Sequence, residues 1–447
     1  MNQTIYPIGI QNFEKIRKDG YLYIDKTALI YQLANTGSYY FLSRPRRFGK
    51  SLLLSTLEAY FQGKKELFEG LAMEKLEKEW TKHPILHLDL NTRHYKDTAA
   101  LASILNEYLE KWEALYGTEK QDRGLEERFS YVIENAYLKT GQRVVILIDE
   151  YDKPLLQNLH DEETQTLLRN ALKPFYGVLK SMDRYIRFAL LTGVTKFGKV
   201  SVFSDLNNLD DISMREPYAA ICGITETELR TYFDDDIHTL ASSLGLTYDE
   251  TCSSLKKRYD GYHFVAEGPG LYNPFSLLNT FKYMRLSDYW FETGTPTYLV
   301  ELLKRTNYDL YDMANTETDA DVLNSIDSTS KNPIPVIYQS GYLTIKDYDP
   351  RFGIYKLGFP NQEVEEGFVK YLLPFYTSVS APKTPFEIGR FVKEVEHGDY
   401  DAFFRRLQSF FADTSYEAIV GRNPERDAEL HYRNVLFIVF KLVGLYT

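Results

Sequence analysis

The stretch YYFLSRPRRFGKSLLLSTLEAYF, residues 39–61, decides the fold of this chain. Its beginning, YYFLS at 39–43, is an apolar run typical of a short buried strand, and KSLLLSTLEAYF at 50–61 spaces its apolar residues at the period of a helix. Between them lies RPRRFGKS at 44–51, which ends in the Gly-Lys-Ser of a phosphate-binding loop. Strand, loop and helix in this order predict a phosphate site at the N-terminus of the helix.

The residues of this loop suit a nucleoside triphosphate and its metal ion. Backbone N–H groups at a helix N-terminus attract phosphates, Lys50 can reach the β- and γ-phosphates, and the Ser51 hydroxyl can ligate Mg²⁺. A complete motif has a glycine five residues before Gly49, where this chain has Arg44, so the Gly-Lys-Ser match alone is weak evidence. The predicted nucleotide-binding residues are Arg46, Arg47, Phe48, Gly49, Lys50 and Ser51.

A second run, VVILIDE at 144–150, is a β-branched strand pattern that ends in two carboxylates. A phosphate-loop ATPase needs at this place a second magnesium anchor and a group that activates water. Asp149 is therefore predicted to hold Mg²⁺ together with Ser51, and Glu150 is predicted to be the general base. The alternative is a strand that simply ends in solvated acids, but the presence of both motifs in one chain favours the site.

Other polar residues are candidates for the same chemistry. Thr192 lies near the C-terminal end of the next buried run, IRFALLTGV at 186–194, and is predicted to be a second catalytic residue that senses the γ-phosphate; a structural threonine is the alternative. Arg46, Arg47 and Lys196 are candidates for stabilising charge in the transition state. Solvated loop side chains are the default interpretation for these three basic residues.

Strand and helix patterns alternate along the first half of the chain. The runs ILHLDL at 85–90, VVILIDE and IRFALLTGV are strand-like, and helical patterns cover 98–116, 126–137 and 163–182. Strands separated by helices predict a mostly parallel sheet with helices on both faces. The predicted fold class is therefore α/β, a P-loop NTPase sheet of the additional-strand class, followed by a helical lid and a winged-helix-like unit.

The patterns divide the chain into four predicted regions. Residues 1–220 form the P-loop ATPase domain. Residues 221–330 form a helical lid domain, which opens with Thr225 placed three residues before Glu228, the capping-box start of a helix. Residues 331–377 form the winged-helix-like unit, because helix, strand, turn, strand and helix follow one another there. Residues 378–447 form a helical C-terminal segment.

The composition excludes several classes of protein. The 52 Lys and Arg residues against 63 Asp and Glu residues give a net charge of −11, so the overall field repels nucleic acid and anionic lipid. Only local patches such as KKRYDGYHF at 256–264 could contact nucleic acid, and a solvated helix end is the favoured interpretation of that patch. Cys222 and Cys252 are too few for a disulfide framework and suit a reducing cytoplasm. No targeting signal or membrane-spanning run is visible.

The sequence resembles the AAA-ATPase-like family. Members of this family are bacterial P-loop ATPases, and the longer ones carry a PD-(D/E)XK nuclease-like domain at the C-terminus. In that family an arginine replaces the first glycine of the loop, as Arg44 does here. The resemblance also implies that the segment 21–27 lies near the nucleotide base. It rests on IGIQNFEKIRKDGYLYIDKT at 8–27, SRPRRFGKS at 43–51, VILIDEYDKP at 145–154, LLTGVTKFGKVSVFSDLNNL at 190–209, YDGYHF at 259–264, YNPFSLLN at 272–279, YWFETGTPTYLV at 289–300, YQSGYLTI at 338–345 and LGFPNQEV at 357–364.

The chain departs from the resembling family after the helix-like run ELHYRNVLFIVFKLVGL at 429–445. Family members continue there into strands that carry an Asp and a Glu-x-Lys pair. In this chain no Asp or Glu is followed two residues later by Lys, and Glu429 alone cannot catalyse cleavage. We therefore expect no nuclease activity from this chain, and we expect the segment 378–447 to lead into a missing nuclease-like domain.

The sequence thus predicts Mg-dependent binding and hydrolysis of ATP by an AAA-like ATPase, which acts as a regulatory or motor module for a nuclease-like effector. The alternative is a nucleotide-binding regulatory or interaction module with negligible hydrolysis of its own. ATP and Mg²⁺ are the predicted ligands. Weak nucleic-acid contact and a protein partner or homo-oligomer stay open, no membrane contact is expected, and the predicted location is cytoplasmic.

Overall fold

The computed structural model describes residues 4–159, 161–196, 208–292, 297–313, 316–324, 332–377, 379–412 and 424–446. The strands are β1 Tyr39–Ser43, β2 Ile85–Asp89, β3 Val144–Asp149, β4 Ile186–Gly193, β5 Asp210–Asp211, β6 Ile224–Thr225, β7 Leu271–Tyr272, β8 Glu317–Thr318, β9 Thr344–Asp349 and β10 Ile354–Gly358. The helices are α1 Phe13–Lys18, α2 Thr27–Thr36, α3 Lys50–Phe61, α4 Ala72–Leu76, α5 Thr98–Tyr116, α6 Leu125–Thr140, α7 Lys153–Leu156, α8 Glu162–Ser181, α9 Glu226–Tyr232, α10 Asp234–Leu244, α11 Tyr248–Tyr259, α12 Pro274–Tyr283, α13 Tyr289–Glu292, α14 Thr297–Arg305, α15 Leu310–Met313, α16 Ala320–Asn324, α17 Ile334–Gln339, α18 Gln362–Tyr376, α19 Thr384–Glu396, α20 Tyr400–Ala412 and α21 Pro424–Tyr446.

A parallel sheet of five strands forms the centre of the N-terminal half, in the order β2-β3-β4-β1-β5. The strand β4 lies between β1 and β3, and its partner residues include Leu42 for Thr192 and Ile148 for Leu191. Because all these strands run in one direction, the carboxyl ends of β1, β3 and β4 lie together at one edge of the sheet. The predicted mostly parallel sheet is confirmed.

Helices cover both faces of this sheet. Successive residues of a strand point to opposite faces, so Tyr40 and Leu42 of β1 belong to an apolar cluster with α2 and α3. Tyr39 and Phe41 belong to a second cluster, with α5, α6 and α8. Strands buried on both faces read as unbroken apolar runs, which is why β1 and β3 lack alternation in the sequence.

The first apolar cluster does not stop at the sheet. It continues through Trp290, Tyr342 and Phe368 to the buried side of α21, where Val435 and Leu442 are fully buried. The helix α21 packs along α18 and also contacts α19. One continuous apolar core therefore joins the sheet to the last described helix, across the predicted boundaries at 220, 330 and 377.

The elements of the predicted lid and winged-helix-like unit follow the expected order. Thr225 and Glu228 form the predicted capping box at the start of α9. Further on, α17, β9, β10 and α18 follow one another, with β9 and β10 paired antiparallel. The domain boundaries, the lid role and the winged-helix assignment stay predictions.

In the described segments we find no helix with the length and apolar character needed to cross a membrane.

Candidate functional site

The loop between β1 and α3 opens onto a cavity of about 370 Å³. Gly49 has φ +98°, a left-handed conformation in which a side chain would be strained, and the helix begins at the next residue. Arg47 also has a positive φ, of 68°. Loop residues at the cavity are the predicted Arg46, Arg47, Gly49, Lys50 and Ser51. The N-terminus of a twelve-residue helix thus faces the cavity, where its free N–H groups favour an anion.

Asp149 receives hydrogen bonds from two other predicted site residues, Ser51 and Thr192. The Ser51 hydroxyl donates to its Oδ2 at 2.5 Å, and the Thr192 hydroxyl donates to its Oδ1 at 2.6 Å. These three residues come from α3, β3 and β4, whose ends meet because β4 lies between β1 and β3. The fold therefore gathers the three residues at one point, with Asp149 and Thr192 buried.

Glu150 follows directly and faces Lys50. Its Oε1 lies 3.2 Å from the Lys50 ammonium, which also donates to the carbonyl oxygens of Arg44 at 3.1 Å and Pro45 at 3.4 Å. Glu150 adopts φ +52°, which costs a non-glycine residue free energy and is most common at functional positions. This backbone turn brings its side chain to the wall of the cavity.

The next acid along the chain, Asp152, holds the loop that follows β4. Its carboxylate accepts hydrogen bonds from the backbone N–H of Val194 at 3.3 Å and from the N–H and hydroxyl of Thr195 at 2.7 Å each. Burial raises the pKa of Asp152 to about 6. Since Val194 lines the cavity, Asp152 positions one part of its wall without contacting the cavity itself.

Arg44 and two of the predicted residues, Phe48 and Lys196, do not line the large cavity. Arg44 is buried, with its guanidinium 4.1 Å from the ring centre of Phe264, and it donates to the carbonyl oxygens of Ser43 and Ser213. Phe48 is buried against aromatic rings. The Lys196 ammonium lies 2.9 Å from Asp211 and is buried.

A smaller apolar cavity of about 100 Å³ adjoins the first. The two share part of their lining, including Gly49 and Leu52, and the smaller one is also lined by Phe48. Its wall includes Leu22, Tyr23, Ile24 and Lys26 from the segment that the resemblance associates with a nucleotide base.

Several lining residues were not predicted from the sequence. Lys153 follows Glu150 by three residues and donates its backbone N–H to the Glu150 carbonyl at 2.9 Å, so the motif itself could have indicated it. Burial, with Arg46 nearby, lowers the pKa of its ammonium. Asn91 follows β2 and also lines the cavity. Leu52 directly follows Ser51, and Val194 lies two residues after Thr192. No local pattern links the loop to the remaining lining residues, which are Pro7, Ile8, Gly9, Ile10, Gln11, Pro274, Phe275, Leu278, Trp290, Ser340 and Tyr342.

The C-terminal half supplies one side of the large cavity. The ring of Phe275 lies 4.7 Å from the Arg47 guanidinium. The turn of Ser340 and Tyr342 approaches the loop so closely that a Cβ on Gly341, which has φ +90°, would lie 2.6 Å from Pro45. The cavity is thus walled by both halves of the chain.

Comparison with known proteins gives the family. The model of the family described as Predicted AAA-ATPase matches residues 7–203, which include the loop, Asp149, Glu150 and Thr192. A protein of Azotobacter chroococcum mcd 1, described as "Uncharacterized protein in vnfD 5'region", is 37% identical over 450 residues, which is 100% of this chain and 84% of that relative. The chain belongs to the AAA-ATPase-like family. The resemblance drawn from the sequence is confirmed, and membership in the AAA-ATPase-like family indicates a nucleotide-binding protein of the ATPase type.

Proposed function

We propose that this protein binds Mg·ATP in the cavity of about 370 Å³ and hydrolyses it. The observation that carries the proposal is the pair of hydrogen bonds that Ser51 and Thr192 donate to Asp149 at 2.5 Å and 2.6 Å. A buried carboxylate between a loop hydroxyl and a strand-end hydroxyl is the donor set that a phosphate-loop ATPase uses for its metal and γ-phosphate. The strand β4 between β1 and β3 supports the additional-strand class.

The side-chain oxygen atoms of Ser51 and Asp149 suit Mg²⁺. Ser51 and Asp149 offer hard oxygen ligands within 2.5 Å of each other, and Mg²⁺ is held in such sites by one or two protein groups together with phosphates and water. Within the described part of the chain, no group of three or more His, Cys, Asp and Glu side chains is arranged to hold a metal. Mg²⁺, when bound, would neutralise phosphate charge.

Four cationic side chains of the cavity suit the triphosphate: Arg46, Arg47, Lys50 and Lys153. The free N–H groups of α3 add to this positive field. The adjoining apolar cavity suits a flat heterocyclic base, with Tyr23, Ile24 and Leu52 in its wall. We therefore assign the phosphates to the large cavity and the adenine to the small one.

The reaction then follows from the groups at the cavity. A water oxygen attacks the γ-phosphorus, the bond to the β–γ bridging oxygen breaks, and ADP leaves with that electron pair. Glu150 accepts the proton that the attacking water loses. Thr192 keeps Asp149 oriented, and Lys50 with Lys153 stabilises the charge that develops on the phosphoryl oxygens.

The ion pair between Lys50 and Glu150 supports a second candidate. At 3.2 Å it engages both the phosphate-binding cation and the proposed base. If ATP does not separate the pair, the protein binds nucleotide but hydrolyses it negligibly, and it acts as a regulatory or interaction module. Under either candidate we propose that residues 221–377 form a nucleotide-sensitive lid and that a nuclease-like effector is the downstream partner.

Single-turnover hydrolysis separates the two candidates. Enzyme in excess over γ-labelled ATP, with Mg²⁺ and with or without nucleic acid, should release labelled phosphate in one exponential phase. The control reaction contains EDTA and no Mg²⁺, and it should release no labelled phosphate. Tight binding of ATP with no release above the EDTA control would favour the second candidate, and no binding of ATP would contradict both.

A further inference from the structure

A tryptophan from the C-terminal half is hydrogen-bonded to the backbone of the phosphate loop. The indole N–H of Trp290 donates to the carbonyl oxygen of Arg46 at 3.0 Å. Trp290 is buried, belongs to α13 and lines the large cavity. Its ring lies 5.2 Å from that of Tyr342, another cavity residue. The bond fixes a peptide next to Arg47, whose backbone has a positive φ.

The backbone of Trp290 is in turn held by a buried acid. The carboxyl group of Glu363, near the start of α18, accepts the Trp290 backbone N–H at 2.7 Å through Oε1. Through Oε2 it accepts the hydroxyl of Ser276 at 2.7 Å. Glu363 is fully buried. One carboxyl group therefore joins three helices, α12, α13 and α18.

Both partners of Glu363 lead to the phosphate loop. Ser276 lies in the first turn of α12, and the residue before it, Phe275, packs under the Arg47 guanidinium at 4.7 Å. Trp290 holds Arg46. Two consecutive residues of the loop, Arg46 and Arg47, are thus contacted by two elements that a single side chain joins.

Apolar packing does not require an acid at this place. Burial of a carboxyl group costs free energy, and the two hydrogen bonds offset part of that cost because they give the buried Trp290 N–H and Ser276 hydroxyl their acceptors. What the carboxyl group adds is direction, because its two oxygens fix two donors at defined positions. The arrangement therefore orients the two donors as well as satisfying them.

We propose that Glu363 is a positioning residue that, through Trp290 and Ser276, holds the phosphate loop in the conformation that binds the triphosphate. This proposal rests on the proposed function, since it concerns the same cavity. It also connects the nucleotide site to α18, the helix along which α21 packs.

The test compares the full-length wild-type chain with four variants, each carrying a single substitution. Trp290→Phe keeps a ring but removes the indole donor. Glu363→Ala removes both acceptors, and Glu363→Gln keeps one acceptor for Trp290 and offers a donor to Ser276. Glu365→Gln on the same helix is the matched control, because Glu365 pairs with Lys441 at 2.6 Å and has no contact with the loop among the described interactions. Circular dichroism checks that each variant is folded.

Two measurements are made on each variant. Hydrogen–deuterium exchange of peptides that cover residues 44–52, without nucleotide, reports the order of the loop backbone. Titration calorimetry with Mg·ATPγS reports affinity. Trp290→Phe should weaken binding about fivefold and Glu363→Ala about tenfold, as expected for loss of one or two hydrogen bonds. Trp290→Phe and Glu363→Ala should also exchange the amide hydrogens of residues 44–52 faster than the wild type. The affinity of Glu363→Gln and of Glu365→Gln for Mg·ATPγS should stay within about twofold of the wild-type affinity.

The double variant Trp290→Phe with Glu363→Ala should bind no more weakly than Glu363→Ala, because coupled residues are not additive. Unchanged exchange and unchanged affinity in folded Trp290→Phe would overturn the proposal, even if Glu363→Ala failed to fold. If the wild type bound no Mg·ATPγS, the proposed function would fail, and faster exchange in Trp290→Phe would still support the positioning role. The two failures are therefore distinguishable.

Discussion

Lys50 and Glu150 form an ion pair at the wall of the cavity, with 3.2 Å between the ammonium nitrogen and Oε1. Their side chains are only 4% and 15% exposed, so little solvent screens the pair. In the proposed function a triphosphate would compete with Glu150 for Lys50. Release of the carboxylate by that competition would leave Glu150 ready to accept a proton, which couples binding to hydrolysis in the proposed mechanism.

Lys50→Ala should abolish stabilisation of the protein by ATP, because it removes the charge that reaches the phosphates. At a ligand concentration 100-fold above Kd, wild-type protein gains about 2.7 kcal/mol, seen as a higher Tm. The measurement is thermal unfolding with and without Mg·ATP. Lys180→Ala, at an exposed position of α8, is the control and should keep the full shift. An undiminished shift in Lys50→Ala would contradict the assignment of the phosphate site.

Glu150→Gln should keep nucleotide affinity and lower kcat by about 10²-fold or more, roughly the contribution of a positioned general base. Steady-state kinetics and calorimetry on the same preparation give both numbers. The exposed Glu127→Gln on α6 serves as the matched change. If Glu150→Gln instead lost its affinity for nucleotide, Glu150 would have a structural or metal-binding role.

The stability of the protein should depend on pH through Glu363. Burial raises the pKa of this carboxyl to about 8 from its ordinary value of 4.5. The folded state therefore holds a proton that the unfolded state has lost between those two pKa values, so the free energy of unfolding falls as pH rises from about 4.5 to about 8.

Glu363→Gln cannot lose this proton. Relative to the wild type, its free energy of unfolding should rise by about 2 kcal/mol between pH 6 and pH 8. Urea unfolding of both proteins at several pH values measures the difference. A difference that stays constant over that range would show that the carboxyl titrates at its ordinary pKa.

Leu442→Ala should destabilise the protein by about 2–5 kcal/mol, because it leaves a cavity in the packed side of α21. Leu442 is fully buried, whereas Phe440 on the same helix is 52% exposed. Phe440→Ala is therefore the control and should cost far less. Chemical denaturation measures both. Equal small effects would mean that α21 contributes little to the core.

DNA binding should be weak and strongly salt-dependent, because the net charge is −11 and only local basic patches are available. Fluorescence anisotropy with labelled duplex at 50 mM and 200 mM salt measures the slope. Nanomolar, sequence-specific binding at physiological salt would contradict the proposed lid role of the region 331–377.

Much of the fold could be predicted from local sequence patterns. The predicted helices at 50–61 and 98–116 match α3 and α5 at both ends, because apolar periodicity and the loop motif fix such elements locally. The convergence of Ser51, Asp149 and Thr192 was also predictable, since the ends of parallel strands lie at one edge.

The rest of the site depends on long-range packing. Trp290 lies 244 residues from Arg46, and no spacing rule connects them. The orientation of Arg44 into the core likewise depends on Phe264, which comes from a distant segment. Local patterns describe what one segment can form, whereas these contacts arise only when separate segments pack.

The continuous apolar core has a consequence for motion. Two domains can open about a hinge when the boundary between them is polar and hydrated. Here the apolar side chains on one face of the sheet belong to the same cluster as Trp290, Phe368 and Leu442. Opening such a boundary would bring apolar surface into water at about 25 cal/mol for each square ångström. We therefore expect a response to nucleotide in which helices slide over one another by shear, with small displacements spread over many contacts.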